Sequence, residues 1–164
     1  MVTDATFWEF SLRFYALPGV APACLRCQDE AGADVNVTLF ALWHAASGTC
    51  LREDEIKAAD EAVAPWREHV VKRLRDLRRA LKSPPLASLE PTGSLRKQVQ
   101  AVELEAEHVE QNLLAASVPR RAGTAVPLEA ARANLAAYAA AAELALPDEA
   151  LATLLAAVAQ PTAS

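Results

Sequence analysis

Residues 95–116 read LRKQVQAVELEAEHVEQNLLAA, and within them Leu95, Val99, Val102, Ala106, Val109, Leu113 and Ala116 recur at steps of four and three. That alternation keeps one apolar line along a helix at heptad spacing. A half-buried strand would alternate with period two, and no stretch of the chain does so. The pattern predicts a fold that is all-α, a compact multi-helix bundle built round a central antiparallel helical hairpin.

The other arm of that hairpin is expected over residues 65–82. Pro65 sits where a first-turn proline is tolerated, and Trp66, Val70, Leu74, Leu77 and Leu81 follow at helical spacing. A linker with Pro84, Pro85 and Pro91 joins the two arms. The first arm carries Arg67, Lys72, Arg73, Arg75, Arg78, Arg79 and Lys82 against Glu68 and Asp76, whereas the second carries Glu103, Glu105, Glu107 and Glu110. Folded antiparallel, residues 103–110 would lie opposite 68–75, with acid facing base along the flanks. Exposed pairs of this kind contribute about 0–1 kcal/mol each, so their value lies in orientation.

Helix punctuation extends the pattern in both directions. Thr3 or Asp4 can cap a first helix through Phe7, Trp8, Leu12 and Tyr15, which Pro18-Gly19 stops. Pro22 falls in the first turn of a second helix ending at Gly32. Asp34 caps a third, with Val35, Leu39, Leu42 and Trp43 apolar and Gly48 as its stop. A shorter helix is expected over 53–64. Beyond Pro119, Leu128, Ala131, Leu135, Tyr138 and Ala142 form another helical line, broken at Pro147-Asp148 before a last short helix. The organisation expected is one helical domain over 1–160: a motif-rich part over 1–50, the hairpin over 65–118 and Ala-rich helices over 127–160. Residues 161–164 read as a disordered tail.

Composition agrees. Of 164 residues, 52% are hydrophobic, only 5% are aromatic and five are glycine, a mix that favours helices over sheets. The opening MVTDATFWEF has an acid where a secretory signal would have lysines. The apolar stretch near 133–146 is too short to cross a bilayer. A cytoplasmic protein with no membrane partner is therefore expected, with Cys24, Cys27 and Cys50 as free thiols.

The basic run on 65–82 supplies the residues that contact phosphates, but the net charge is −5 and no aromatics or glycines interleave with it. It reads as a solvated, acid-paired face, and no nucleic-acid partner is expected. Cys24-x-x-Cys27 with His44 and Cys50 downstream raises a metal site, since zinc takes thiolate and imidazole ligands. The pair falls inside a helix, however, and the His44–Cys50 spacing straddles a helix stop, so core packing is the better reading. No Gly-rich phosphate loop or Gly-x-Ser-x-Gly elbow is present, and Glu105-x-x-His108 has no second copy as a di-iron bundle would need. The sequence calls for no cofactor.

The remaining cluster is Gln28, Asp29, Asp34 and Asn36, with Trp8, Ser11, Tyr15 and Trp43 near in sequence. Asp34 and Asn36 suit an N-cap and a turn hydrogen bond. The same residues could instead furnish a pocket with aromatic walls and a few convergent polar groups. The function expected is that of a non-catalytic interaction module that docks on a protein partner or self-associates through its apolar lines; the alternative is a small-molecule binder or enzyme using the 28–36 turn.

The string Phe7-Trp8-x-Phe10-Ser11-Leu12, then Tyr15, Pro18-Gly19-Val20, Cys24-Leu25, Gln28-Asp29, Gly32, Asp34-Val35-Asn36, Leu39, Leu42-Trp43 and Gly48, resembles a family of uncharacterised helical proteins of about this length, mainly from proteobacteria. The resemblance is dense over the first fifty residues and loose over the basic helix, and it implies no activity. It also implies that Cys27, Thr38 and His44 depart from aliphatic positions. Gln28, Asp29, Asp34, Asn36 and Trp43 fit the pattern.

Overall fold

The computed structural model describes residues 5–160, and every described element is helical. The α-helices are α1 (Phe7–Tyr15), α2 (Val20–Ala31), α3 (Val35–Ala45), α4 (Glu53–Trp66), α5 (Lys72–Lys82), α6 (Thr92–Ser117), α7 (Pro127–Ala141) and α8 (Asp148–Val158). The expected tail at 161–164 lies outside the described residues, as do Thr3 and Asp4. Thr6 is the cap of α1: its side chain accepts from the Glu9 amide, and Glu9 reaches back to the Thr6 amide. Gly32 closes α2 in the left-handed conformation, at φ 72°. Asp34 caps α3 as its sequence position predicts, its Oδ1 accepting from the Val37 amide at 3.0 Å.

Pro65 does not begin a helix. It lies inside α4, and the helix runs on through a π turn at Arg67–Val71 into α5. A proline inside a helix removes one hydrogen bond and crowds the preceding turn. Here the chain continues helically and widens two residues later, in the single-turn form that π geometry usually takes.

The centre of the molecule is α3, whose residues from Asn36 to Ala45 are all buried. Helices α1, α2, α6 and α7 pack against it, and α2 in turn carries α8. Phe40 and Leu42 of this helix, with Ile56 of α4, Leu114 of α6 and Leu154 of α8, are among the fully buried side chains. Cys24 and Cys27 are packed in this core, and burial pushes the Cys24 thiol up to about 12. Cys50 is exposed. No group of three or more His, Cys, Asp and Glu among the described residues is placed to hold a metal ion. His44 is also in the core, edge-on to Phe40 and Trp43, and burial lowers its pKa to about 4.

The hairpin of α5 and α6 forms as expected, with Glu103 and Glu107 meeting Arg75. The apolar line on α6 does not face the core as a unit. Val99 and Ala106 are buried, but Leu95, Val102, Val109 and Leu113 are exposed, Val102 to 53%. The buried stripe is instead Val99, Glu103, Ala106, Glu110, Gln111 and Leu114. The helix is turned so that two glutamates and a glutamine enter the interior, and their ion pairs are accordingly less exposed than flanking pairs would be.

Two contacts tie the C-terminal helices to α3. The 119–126 loop runs against 47–49, where the Gly123 amide donates to Ser47 O at 2.8 Å. A Cβ on Gly123 would stand 1.9 Å from Gly48 O, so the approach needs glycine. From α7, the fully buried Asn134 side chain accepts from the Leu51 amide at 2.7 Å and donates to Ala41 O and Thr49 O, each at 2.9 Å. Asn134→Ala should lower unfolding free energy by roughly 3 kcal/mol in urea denaturation, because three buried backbone groups lose their partner. Asn134→Asp should not rescue it, since a carboxylate cannot donate to the two carbonyls. A loss below about 1 kcal/mol in the alanine variant would contradict this role.

Candidate functional site

Between α1, α2, α3, α5 and α6 lies an open groove of about 770 Å³. Trp8, Ser11 and Tyr15 come to it from α1, Gln28 from α2 and Asn36 from the first turn of α3. These five are the sequence-predicted residues that the fold brings together. The other three lie elsewhere. Asp29 is exposed, with Arg79 Nη2 4.0 Å away as its nearest cation. Asp34 sits behind the groove. Trp43 lies about two turns further along the same face of α3 as Asn36, stacked on Phe7 with its Nε1 donating to Ala5 O at 3.3 Å.

Helical periodicity explains the grouping on α1. Trp8, Ser11 and Tyr15 are three or four apart and share one face of α1. In α1 that face meets α6, where Trp8 stacks on His108 at 4.3 Å between ring centroids. Leu12, Leu25, Leu39, Ala101 and Leu104 supply the apolar part of the groove.

The opposite wall is basic and comes from residues that the sequence reading treated as helix flanks. Arg75 spans the gap: Nη1 donates to Gln28 Oε1 at 3.0 Å, Nη2 to Glu107 Oε1 at 3.1 Å and Nε to Glu103 Oε1 at 3.4 Å. Arg78 also pairs with Glu103. Burial raises the pKa of Glu107 and the Arg75 charge works against that rise.

Behind the floor, Asn36 does not hydrogen-bond its own turn. It reaches α6 instead, with Nδ2 donating to Glu110 Oε2 at 3.1 Å and Oδ1 accepting from Gln111 Nε2 at 2.9 Å. Its position in a buried first turn faces α6, so the partner is tertiary rather than local. Glu110 has no solvent exposure. Around it, Arg67 from the π turn lies 3.9 Å from Glu110 Oε1 and 3.5 Å from Asp34 Oδ2, and donates to Asp60 Oδ1 at 2.6 Å. Tyr138 of α7 completes the group, its hydroxyl oxygen accepting from the Asp34 amide at 2.8 Å. Burial, reinforced by the Asp34 charge, pushes Glu110 up to about 8, and Arg67 and Asn36 only partly oppose it. Three buried or half-buried polar atoms here make no hydrogen bond: Ser11 Oγ, Gln111 Oε1 and Glu110 Oε1. Such atoms are uncommon, and each costs about 1–3 kcal/mol.

Gln111 escaped the sequence reading, and Glu110, Arg67 and Arg75 were read there only as flanking charges of the hairpin. One signal was available. Glu103 and Glu110 are seven apart and lie next to Val99 and Ala106 on the helix, so they share the inward face rather than a solvated flank. A raised pKa means that the folded state binds the Glu110 proton more tightly than the unfolded chain does. Stability from this group is full below about pH 4.5 and is lost as pH rises towards and through 8. Glu110→Gln carries no such proton, so its stability relative to the native chain should climb with pH, by up to about 1.4 kcal/mol per unit between roughly pH 5 and 8. Urea titrations across that range measure the gap, and a constant offset would contradict the assignment.

No curated protein and no solved structure matches the chain. A family model described as "Protein of unknown function (DUF2390)" matches residues 6–114, a span that takes in α1 to α5 and most of α6 and so includes every residue of the groove. The chain belongs to that family of proteins of unknown function, DUF2390.

Proposed function

We propose that the groove is a binding site for one small organic molecule and that the chain is a cytoplasmic ligand-binding protein. The observation that carries this reading is the convergence of Trp8, Ser11, Tyr15, Gln28 and Asn36, from three separate helices, on one concave surface. Had Gln28 and Asn36 spent their bonds on helix caps, the cluster would be structural. Gln28 instead meets Arg75 and Asn36 meets α6, both across the groove or beneath it. A volume near 770 Å³ suits a drug-sized molecule, and an apolar lining with a few polar groups is the usual make-up of such sites.

Ala101 lines the groove and is exposed, so Ala101→Trp should fill the space without disturbing the core. In a fragment screen by NMR, hits on the native chain should shift the Trp8 indole N–H resonance. Those hits should weaken at least tenfold in Ala101→Trp. Fragments that bind both proteins equally, or none that reaches Trp8, would overturn the reading.

The interaction reading keeps one specific support, the exposed row Leu95, Val102, Val109 and Leu113 on α6. Unpaired apolar rows of this kind mark contact surfaces. The occupant that fits is a second copy of this chain, because a heptad-spaced row can pair with itself about a twofold axis. Sedimentation equilibrium should then show a dimer that Val102→Glu abolishes. A native chain that stays monomeric at high concentration would remove this second reading.

A further inference from the structure

We infer that the ligand of the groove is an anionic amphiphile: a carboxylate, sulfonate or phosphate on an apolar body that also carries an N–H or O–H donor. This rests on the groove being a binding site and adds the chemistry that it selects. The argument begins with charge. Four cations line the groove, Arg75, Arg78, Arg79 and Lys97, against two acids, Glu103 and Glu107. Arg75 and Arg78 are the two that meet those acids, with Arg75 bonded to both and Arg78 to Glu103. Arg79 and Lys97 are left in surplus. Arg79 has only the distant, exposed Asp29 at 4.0 Å, and Lys97 makes no ion pair among the described residues. A chain with net charge −5 therefore presents a positive rim at this groove, with Lys97 unpaired among the described residues and Arg79 held only by Asp29 at its edge. That rim complements an anion.

The apolar body follows from the wall beside the rim. Leu12, Leu25 and Leu104 are large hydrophobic residues that remain largely exposed although they line the groove. Trp8 stands among them. A hydrocarbon or aromatic body laid on these side chains would remove their surface from water. The donor follows from the floor. Gln111 gives its amide N–H to Asn36, so the atom it has left is the acceptor Oε1, which is buried and unpaired. Ser11 Oγ, from another wall of the groove, is likewise unpaired and can accept as well as donate. A ligand group that reaches this floor gains most by bringing a proton.

Two dyes of one scaffold separate the parts of this inference. The probe 2-anilinonaphthalene-6-sulfonate has the naphthalene body with an anilino N–H at one end and the anion at the other. Its neutral analogue N-phenyl-2-naphthylamine lacks only the sulfonate. Dye fluorescence, excited directly and by energy transfer from the three tryptophans of which Trp8 lines the groove, would report binding to the full chain. The sulfonate dye should bind at one site at least tenfold more tightly than the neutral one and weaken as salt rises. Arg79→Gln combined with Lys97→Gln, both at exposed positions, should cut sulfonate affinity at least tenfold and leave the neutral dye unchanged. Equal affinity for the two dyes, or no effect of the double substitution, overturns the anion and leaves the groove reading standing. Binding of both dyes that persists in Ala101→Trp, or no binding of either, overturns the groove reading as well.

Discussion

Arg67 is held at 13% side-chain exposure among Asp34, Asp60 and Glu110, and the arrangement of the other helices follows from keeping that charge satisfied. A buried cation without partners costs several kcal/mol. Its partners come from three places in the chain: the cap of α3, the middle of α4 and the inward face of α6. Bringing them together fixes how α6 is turned about its axis. With Glu110 and Gln111 inside, the apolar line at 95, 102, 109 and 113 is carried out towards solvent. Those side chains are about half exposed, so each forgoes roughly 1 kcal/mol of burial. The polar partners decide the rotation: Asn36 and Arg75 take acceptors from Glu110 and Glu103, and leaving such buried groups unpaired outweighs several half-buried aliphatic side chains. Burial is the main reason that Glu110, the least exposed of the three carboxyls, binds its proton more tightly than a free carboxyl, and the Asp34 charge adds to it.

The groove is a consequence of the same rotation. Once Glu103 and Glu107 face α5, Arg75 can bridge from α6 to Gln28 on α2, and it acts as a strut that holds the two helices apart. An arginine with three partners cannot move aside to let α1 and α5 close on each other. On the far side, Trp8 stacked against His108 anchors α1 to α6. The concavity between these fixed points is thus maintained by polar contacts, and its apolar side chains remain uncovered.

Much of this was legible in the sequence, and the failures share a cause. Caps and stops are local, so Asp34 and Gly32 could be read from their neighbours alone. The α5–α6 register was also readable, because opposite charges were spaced along two long segments. Pro65 misled because the rule that proline breaks a helix says nothing about a widened turn placed after it. The face of α6 misled because counting apolar residues assumes that the interior is apolar, and here it contains Glu103, Glu110 and Gln111. Asn36 misled for the same reason: its partners are 74 and 75 residues away, where no local pattern reaches. Asp29 and Trp43 were grouped with the cluster by nearness in sequence, yet Asp29 lies about 100° round α2 from Gln28 and Trp43 lies about two turns along α3 from Asn36.

The ionic centre also sets the polarity of the groove floor. Glu110 Oε2 is an acceptor whether or not the acid is protonated on Oε1, so Asn36 must present its amide N–H to it. That leaves Asn36 Oδ1 facing Gln111, which must then present its own N–H and keep its oxygen for whatever lies beyond. Each amide is oriented by the one before it, starting from a carboxyl that cannot reach solvent. The floor therefore ends in an acceptor and the rim in surplus cations, so the two ends of the groove ask opposite things of a ligand. A molecule that is uniformly polar, uniformly apolar or purely anionic meets only part of that demand. The direction in which it must lie, with donor inward and anion outward, was fixed by a buried acid that it never touches.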